Sequence, residues 1–323
     1  ATSIPSCVER ISKASGGGLR FLGSPVGADE FCREWCNQTV LTFKDRVRGI
    51  SLMKDKQVAL AMLRLTHAPR LCHVLRTTHP DITEGASILM DTMTMTCLRE
   101  ILGATEQFTV SQMKQAYLPI KKGGLSLMCA HATRFAAYAG SMAQCFHDLC
   151  DLESNHWPDA AQGVFTEQGP DSVTADVLDE ALCDFQAGIQ DGLNMRKFIK
   201  FRQKSPDEDE DEDVTESSST KFRFPTLDRI KTESVFGIQK VVSNSVSQST
   251  LLELLQDDEN LTKEDKIRLL SCSGAGAGGF LTAFPSRGDT KVDPLVFVDA
   301  VRLRLGVQLR CLERIPPGTV CAC

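Results

Sequence analysis

Residues 84–103 read EGASILMDTMTMTCLREILG. Ile88, Leu89, Met93, Leu98, Ile101 and Leu102 recur with the spacing of a helix, not the strict alternation of a strand. Gly103 follows the last of them and suits a left-handed helix end. No strand pattern competes between residues 29 and 150, so this stretch sets the class as mainly α.

The neighbouring segments follow the same logic. Asp29 is the expected cap of a helix whose core candidates include Phe31, Trp35 and Val47. Asp55 precedes a second helix with Val58, Leu60, Met62 and Leu63. Pro69 should kink or end it, because its ring removes a donor and clashes with the preceding turn. A segment with Leu71, Val74 and Leu75 comes next. Thr109-Val-Ser-Gln112 has the form of a capping box, and its short helix stops at Pro119. Gly123-Gly124 marks a turn before a helix over 126–150, where Ala136, Ala137, Ala139 and Ala143 suit close packing. Upstream, Leu19-Arg20-Phe21-Leu22 is strand-like between glycine-rich turns.

Beyond residue 150 the pattern is looser. A helix is expected around 173–202, then a polar segment that contains Asp207 to Asp213, DEDEDED. Those seven acids account for the whole net charge of −6, since the rest of the chain carries +1. Low hydrophobicity and like-charge repulsion predict a disordered linker there. Helices are expected over 232–257 and 262–270, with a flexible glycine-rich turn at 274–279. Asp293-Pro294 should open a last helix, with Asp as cap and Pro at the first helical position, running to Leu305 and closing at Gly306.

Composition bounds the function. The 323 residues suggest two compact units, and no run approaches the ~18–20 apolar residues of a membrane helix. The thirteen cysteines are odd in number and scattered among Leu, Met and Ala, as at Cys32, Cys36, Cys72, Cys97, Cys129, Cys145 and Cys150. That pattern predicts free buried thiols and a nuclear or cytoplasmic location. The chain starts at Ala1 with no basic-then-apolar leader, so the expectation is a non-secreted piece of a longer frame. Residues 1–150 hold 17 Lys and Arg against 12 Asp and Glu, a mildly basic half that permits nucleic acid without demanding it.

Signs of catalysis are poor. There is no Gly-x-Ser-x-Gly, no His-Glu-x-x-His and no phosphate loop. His67, His73 and His79 read as ordinary helix histidines, and Asp81 and Asp91 as lone carboxylates. Lys121-Lys122-Gly123-Gly124 puts two cations before a turn whose free amides would suit a phosphate, although composition alone favours a plain basic turn between helices. Cys321-Ala-Cys323 is half of a zinc site, and two further ligands would be needed.

The ordered motifs resemble one family. LRFLGSPVG at 19–27, PRLCHVLRTTHP at 69–80, LPIKKGGLSL at 118–127 and AAYAGS at 136–141 are similar to elements that follow the palm of non-LTR (LINE-type) retrotransposon reverse transcriptases. More loosely, RLLS at 268–271, GAGGFL at 276–281 with Pro285, and Val298 to Gly306 continue the pattern. The resemblance implies a palm remnant over 1–28 and a helical thumb over 29–202. It further implies a disordered acidic insertion over 203–222, a helical connector over 223–310 and a truncated zinc-knuckle-like motif over 311–323. Phe21, Leu22 and Gly23 would form the primer-grip turn, and Cys321 and Cys323 the first two zinc ligands, zinc binding only if downstream His and Cys exist.

No Tyr/Phe-x-Asp-Asp hairpin is present, so the resemblance implies a fragment without chemistry or cofactor of its own. Its partners would be an upstream polymerase palm and the backbone of RNA or an RNA–DNA hybrid, held weakly by Lys121, Lys122, Arg70, Arg76 and Arg134. The alternative is a helical scaffold or protein-interaction module without nucleic acid. Convergence of those five cations on one face would favour the first reading, and their scatter the second. Limited proteolysis checks the linker: the first cut should fall within 203–220.

Overall fold

The computed structural model describes residues 17–156, 236–256, 261–283 and 290–309. They are mainly helical, around a single hairpin in which β1 (Gly18–Phe21) pairs antiparallel with β2 (Ser24–Gly27). The N-terminal helices are α1 (Asp29–Leu41), α2 (Lys44–Ser51), α3 (Lys56–Met62), α4 (Cys72–Thr77), α5 (Pro80–Leu102), α6 (Val110–Tyr117) and α7 (Ala130–His156). After the acidic region come α8 (Ile238–Gln256), α9 (Lys263–Cys272), α10 (Gly279–Thr282) and α11 (Pro294–Leu305). The expected disordered linker over 203–222, the helix around 173–202 and the cysteines at 321 and 323 lie outside the described residues.

α5 is the axis of the bundle. It starts at Pro80, four residues before the apolar pattern, and ends at Gly103 with φ 61°. The Gly103 and Ala104 amides close the helix on the carbonyls of Glu100 and Arg99. Three consecutive apolar residues at 88–90 cannot all face one way at about 100° per residue, and Ile88 is the one left half-exposed. One face of α5 buries Ala86 and Met90 against Cys36 and Val40 of α1, Leu71, Val74 and Leu75 on and just before α4, and Ala137 of α7.

Local signals fix most ends. Asp55 accepts from the amides of Gln57 and Val58, and the Thr109–Gln112 capping box is formed in both directions. Asp293 caps α11 with Pro294 at its first turn, and Gly306 closes it with φ 67°. Asp29 is not the cap of α1: Ala28 is, and Asp29 sits in the first turn, where a negative charge suits the helix dipole. Pro69 does not end the helical path. The chain winds wider through a π-turn over Leu63–His67, tightens to 3-10 over Ala68–Leu71, and resumes as α4.

The expected boundary between 29–202 and 223–310 is not a boundary of the core. Leu281 and, from α11, Phe297, Val298, Val301 and Leu305 share one buried cluster with Leu60, Leu63, Leu98, Ile101 and Leu125. Burial per residue sets this outcome: a 12-residue α11 carries an apolar face that needs a partner, and α3, α5 and α6 supply it. The cysteine expectation holds for Cys32, Cys36 and Cys97, which are buried and free, with burial pushing the thiols of Cys36 and Cys97 up to about 12. Cys72 and Cys129 are half-buried, and Cys145 corrects the expectation by facing solvent.

Two buried arginines on α11 tie the halves together. Arg302 donates from Nε to the Leu102 carbonyl (2.9 Å), from Nη2 to Gly103 (2.5 Å) and from Nη1 to Gln308 (2.8 Å). Arg304 donates from Nε to Gly124 (3.0 Å), from Nη1 to Ala277 (3.1 Å) and from Nη2 to Ile120 (2.7 Å). These carbonyls lie at a helix end and in turns, and the Ile120 carbonyl also accepts from the Gly123 amide. Replacing Arg304 with Met strips its bonds from the Gly124 and Ala277 carbonyls inside the fold, where each orphaned acceptor costs ~1–3 kcal/mol, while the Ile120 carbonyl keeps the Gly123 amide. Arg304→Met should lower the urea midpoint by an amount equivalent to at least ~2 kcal/mol with an unchanged slope, while the exposed control Arg48→Met stays within ~0.5 kcal/mol.

Candidate nucleic-acid interface

The lysine turn is built from the inside. Gly124 packs so tightly that a Cβ there would meet the Leu118 carbonyl oxygen at 2.0 Å, and Gly123 has φ 84° against Leu269 of α9. The amides of Lys122 and Gly124 both donate to the Pro119 carbonyl, and that of Gly123 donates to Ile120. Buried Gln115 donates to the Gly123 carbonyl at 3.0 Å. The expected free amides are therefore spent within the turn, which corrects the idea of an amide cradle. What the turn does present is charge. Lys121 is exposed, and Lys122 reaches the Asn244 carbonyl of α8 at 3.4 Å, with burial pushing its ammonium below the ordinary value.

The five cations do not all meet. Arg76 on α4 donates to the Gln144 side-chain oxygen of α7 at 3.0 Å. The two line a shallow cavity of about 340 Å³ with Gly237, Gln239, Lys240 and Ser243 at the start of α8. Lys122 contacts the very next residue of that helix, Asn244. Among the described residues, Arg76, Lys122 and Lys240 form no ion pair. Arg70 lies elsewhere, exposed with its guanidinium over the Phe43 ring, 5.7 Å from the centroid.

Arg134 is a correction. Its side chain is only 8% exposed, paired with Glu84 at 3.1 Å, bonded to the His131 carbonyl at 2.7 Å and laid on the Phe135 ring. A phosphate would have to displace a carboxylate to reach it.

The hairpin forms as the glycine punctuation predicts. Leu22 (φ 46°) and Gly23 (φ 90°) both have positive φ, the mark of a type I′ turn, and Phe21 pairs with Ser24. Phe21 is half-exposed and Leu22 fully presented at the tip. Gly18 lies flat against the Phe31 ring, where any Cβ would clash at 2.0 Å, so α1 holds the hairpin's base.

Several residues matter more than their sequence context suggests. Asp91 accepts from the amides of Ala130 (2.7 Å) and His131 (3.0 Å) and from the Cys129 thiol (3.2 Å), so it caps α7 from across the bundle. Burial raises its pKa, opposed by those hydrogen bonds. Lys240 and Gln144 join the cation cavity from helices distant in sequence, and nothing local marks them. His73 contacts the hairpin, and His79 caps α5 and meets the Tyr138 ring edge.

An apolar cavity of about 470 Å³ opens between α6, α7 and α8, lined by Val110, Met113, Tyr117, Met128 and Val246. Its one charged wall, Lys114, is neutralised by Glu253 at 2.6 Å. Among the described residues no group of three or more His, Cys, Asp and Glu can hold a metal ion, and no helix is long and apolar enough to cross a membrane. Compared with protein-family models, curated proteins and solved structures, the chain matches none.

His67 sets an acid limit. It is 1% exposed in the π-turn, its Nε2 has no hydrogen-bond partner, and burial, aided by Arg70, lowers its pKa to about 4. The unfolded chain, with an ordinary value near 6.5, binds the extra proton first. Stability is therefore complete above pH 6.5 and falls as the pH drops toward 4, by about 3 kcal/mol for this one group. Urea unfolding at pH 7 and pH 4.5 should show that loss, and His67→Leu should flatten this part of the profile.

Proposed function

We propose that this chain is a nucleic-acid-holding module without chemistry of its own, the thumb and connector of a reverse transcriptase of the non-LTR type that its motifs resemble. It grips the backbone of an RNA–DNA hybrid or RNA duplex without reading sequence. One observation carries the reading: Arg76 and Lys240 line one cavity at the start of α8, Lys122 reaches Asn244 on the same helix, and none of the three has a carboxylate partner among the described residues. Cations left unneutralised on one edge, beside exposed Lys121, suit a row of phosphates, and neutral Gln144 orients Arg76 without cancelling its charge.

The scaffold reading has its own support in the 470 Å³ apolar cavity, which would suit a helix or loop of a protein partner. The two readings part on charge and salt. About three or four phosphate contacts give micromolar or weaker affinity near physiological salt, and a log–log salt slope of roughly −3. A salt titration of RNA–DNA hybrid binding should show this slope for the wild type. Arg76→Glu with Lys240→Glu, and separately Lys121→Glu with Lys122→Glu, should abolish binding while the helical circular dichroism stays intact. Deleting 207–213 should tighten binding at low salt by relieving long-range repulsion. If all proteins bind alike, or none binds even at low salt, the scaffold reading replaces this one.

A further inference from the structure

The hairpin tip holds a contradiction that local chemistry does not resolve. A type I′ turn favours Asn, Asp or Gly at both central positions, yet the first is Leu22, with φ 46°. Left-handed backbone costs a residue with a Cβ roughly 1–2 kcal/mol. Burial does not recover it, because Leu22 is 82% exposed. Neither conformational preference nor the core explains leucine there.

The strain is held by side chains of α4. His73 Nε2 lies 3.1 Å from the Leu22 carbonyl oxygen and 3.3 Å from Ser24 Oγ. Ser24 Oγ is 2.6 Å from Thr77 Oγ1, which lies 2.9 Å from the His73 carbonyl oxygen. The partners assign the protons. A carbonyl only accepts, so Nε2 carries the hydrogen and donates to Leu22 and Ser24. Ser24 then donates to Thr77, and Thr77 to the His73 carbonyl. Every donor in the chain is used and the loop closes on the residue where it began.

His73 and Thr77 sit four apart, on one face of α4. The imidazole packs against Gly23, whose added Cβ would stand 3.4 Å from Nε2. At the other end α1 fixes the hairpin through Gly18 against Phe31 and the Ala28 amide on the Gly17 carbonyl. Clamped at base and tip, the hairpin cannot relax its turn without breaking this relay.

We propose that His73 is a positioning residue: through Ser24 and Thr77 it latches the strained turn, so that the Leu22 side chain stands out as a fixed apolar contact for the sugar and base edges of a bound duplex. The contact rests on the nucleic-acid reading above, while the latch rests on the geometry alone. Phosphate contacts supply affinity that salt erases, and an apolar tip adds a part that salt does not.

The test combines hydrogen exchange of the 18–27 amides with RNA–DNA hybrid binding at low and moderate salt. His73→Ala should speed exchange at the tip and weaken binding about five- to tenfold without changing the salt slope. His73→Gln keeps an N–H donor at similar reach and should restore both. Leu22→Gly relieves the turn, should leave tip exchange slow, and should weaken binding by the same factor. Combining His73→Ala with Leu22→Gly should cost no more than either alone, because both act on one contact.

Unchanged tip exchange in His73→Ala overturns the latch. Wild-type affinity in Leu22→Gly overturns the contact, and the nucleic-acid reading survives if the charge-reversal variants still lose binding. A wild type that binds no hybrid overturns that reading and the contact with it, and hydrogen exchange still decides the latch.

Discussion

Two guanidinium groups inside the bundle, both donating to backbone carbonyl oxygens, hold the arrangement together. Arg302 and Arg304 donate six hydrogen bonds to backbone oxygens of the α5 end, of Gln308 just after α11, of the lysine turn and of the glycine-rich loop at 277. A buried cation normally asks for a counter-ion. For Arg304 the negative ends of peptide dipoles share that role, and Arg302 binds the carbonyls at the C-terminal end of the 23-residue α5. The arrangement is selective. Only turns that aim their carbonyls inward can satisfy Arg304, so Gly123 and Gly124 are needed where a Cβ would meet Leu269 or the Leu118 carbonyl. Gln115 extends the network, donating to the Gly123 and Arg304 carbonyls and accepting from Arg268 at 3.2 Å. The position of Lys122 against α8 follows from this packing.

α4 shows how six residues serve three neighbours. Val74 and Leu75 enter the core, His73 and Thr77 hold the hairpin, and Arg76 turns toward α7 and α8. A regular helix running on from α3 would present these side chains at other angles. The π-turn before Pro69 and the 3-10 turn through it reset the phase. Proline lacks the N–H that a continuous helix would require, so the widened turn is where the hydrogen-bond ladder can skip. His67 is buried at that turn with Nε2 unpartnered, and the fold carries its acid sensitivity as a consequence.

Much of this was readable locally, and the reason is range. The α5 pattern, the Thr109–Gln112 box, the Asp293-Pro294 start, the closures at Gly103 and Gly306 and the β-hairpin each depend on residues within a few positions of one another. What escaped depends on partners far along the chain. Asp91 looks solitary until Ala130 and His131 present their amides, and Arg134 looks available until Glu84 claims it from 50 positions away. The Lys121-Lys122 turn looked like an amide cradle because the Pro119 and Ile120 carbonyls that absorb those amides belong to a turn type, not to a composition. The buried cluster that α11 shares with α3 and α5 escaped for the same reason: an apolar face on α11 says that it must be covered, not by what.

The contrast between Arg134 and Arg76 is the most instructive step for function. Both are arginines that hydrogen-bond a side chain of another helix. Arg134 meets a carboxylate and is sealed beneath it, so its field is cancelled within a few ångströms and nothing outside can use it. Arg76 meets a carboxamide. Gln144 bonds the guanidinium while leaving its full charge, and Arg76 lines a cavity shared with Lys240. Holding a cation by a neutral acceptor removes conformational entropy before an anion arrives, at no cost in attraction. The difference between the two arginines therefore lies in the partner's charge: a one-atom change between amide and carboxylate, set far away in sequence, decides which cation keeps its full field.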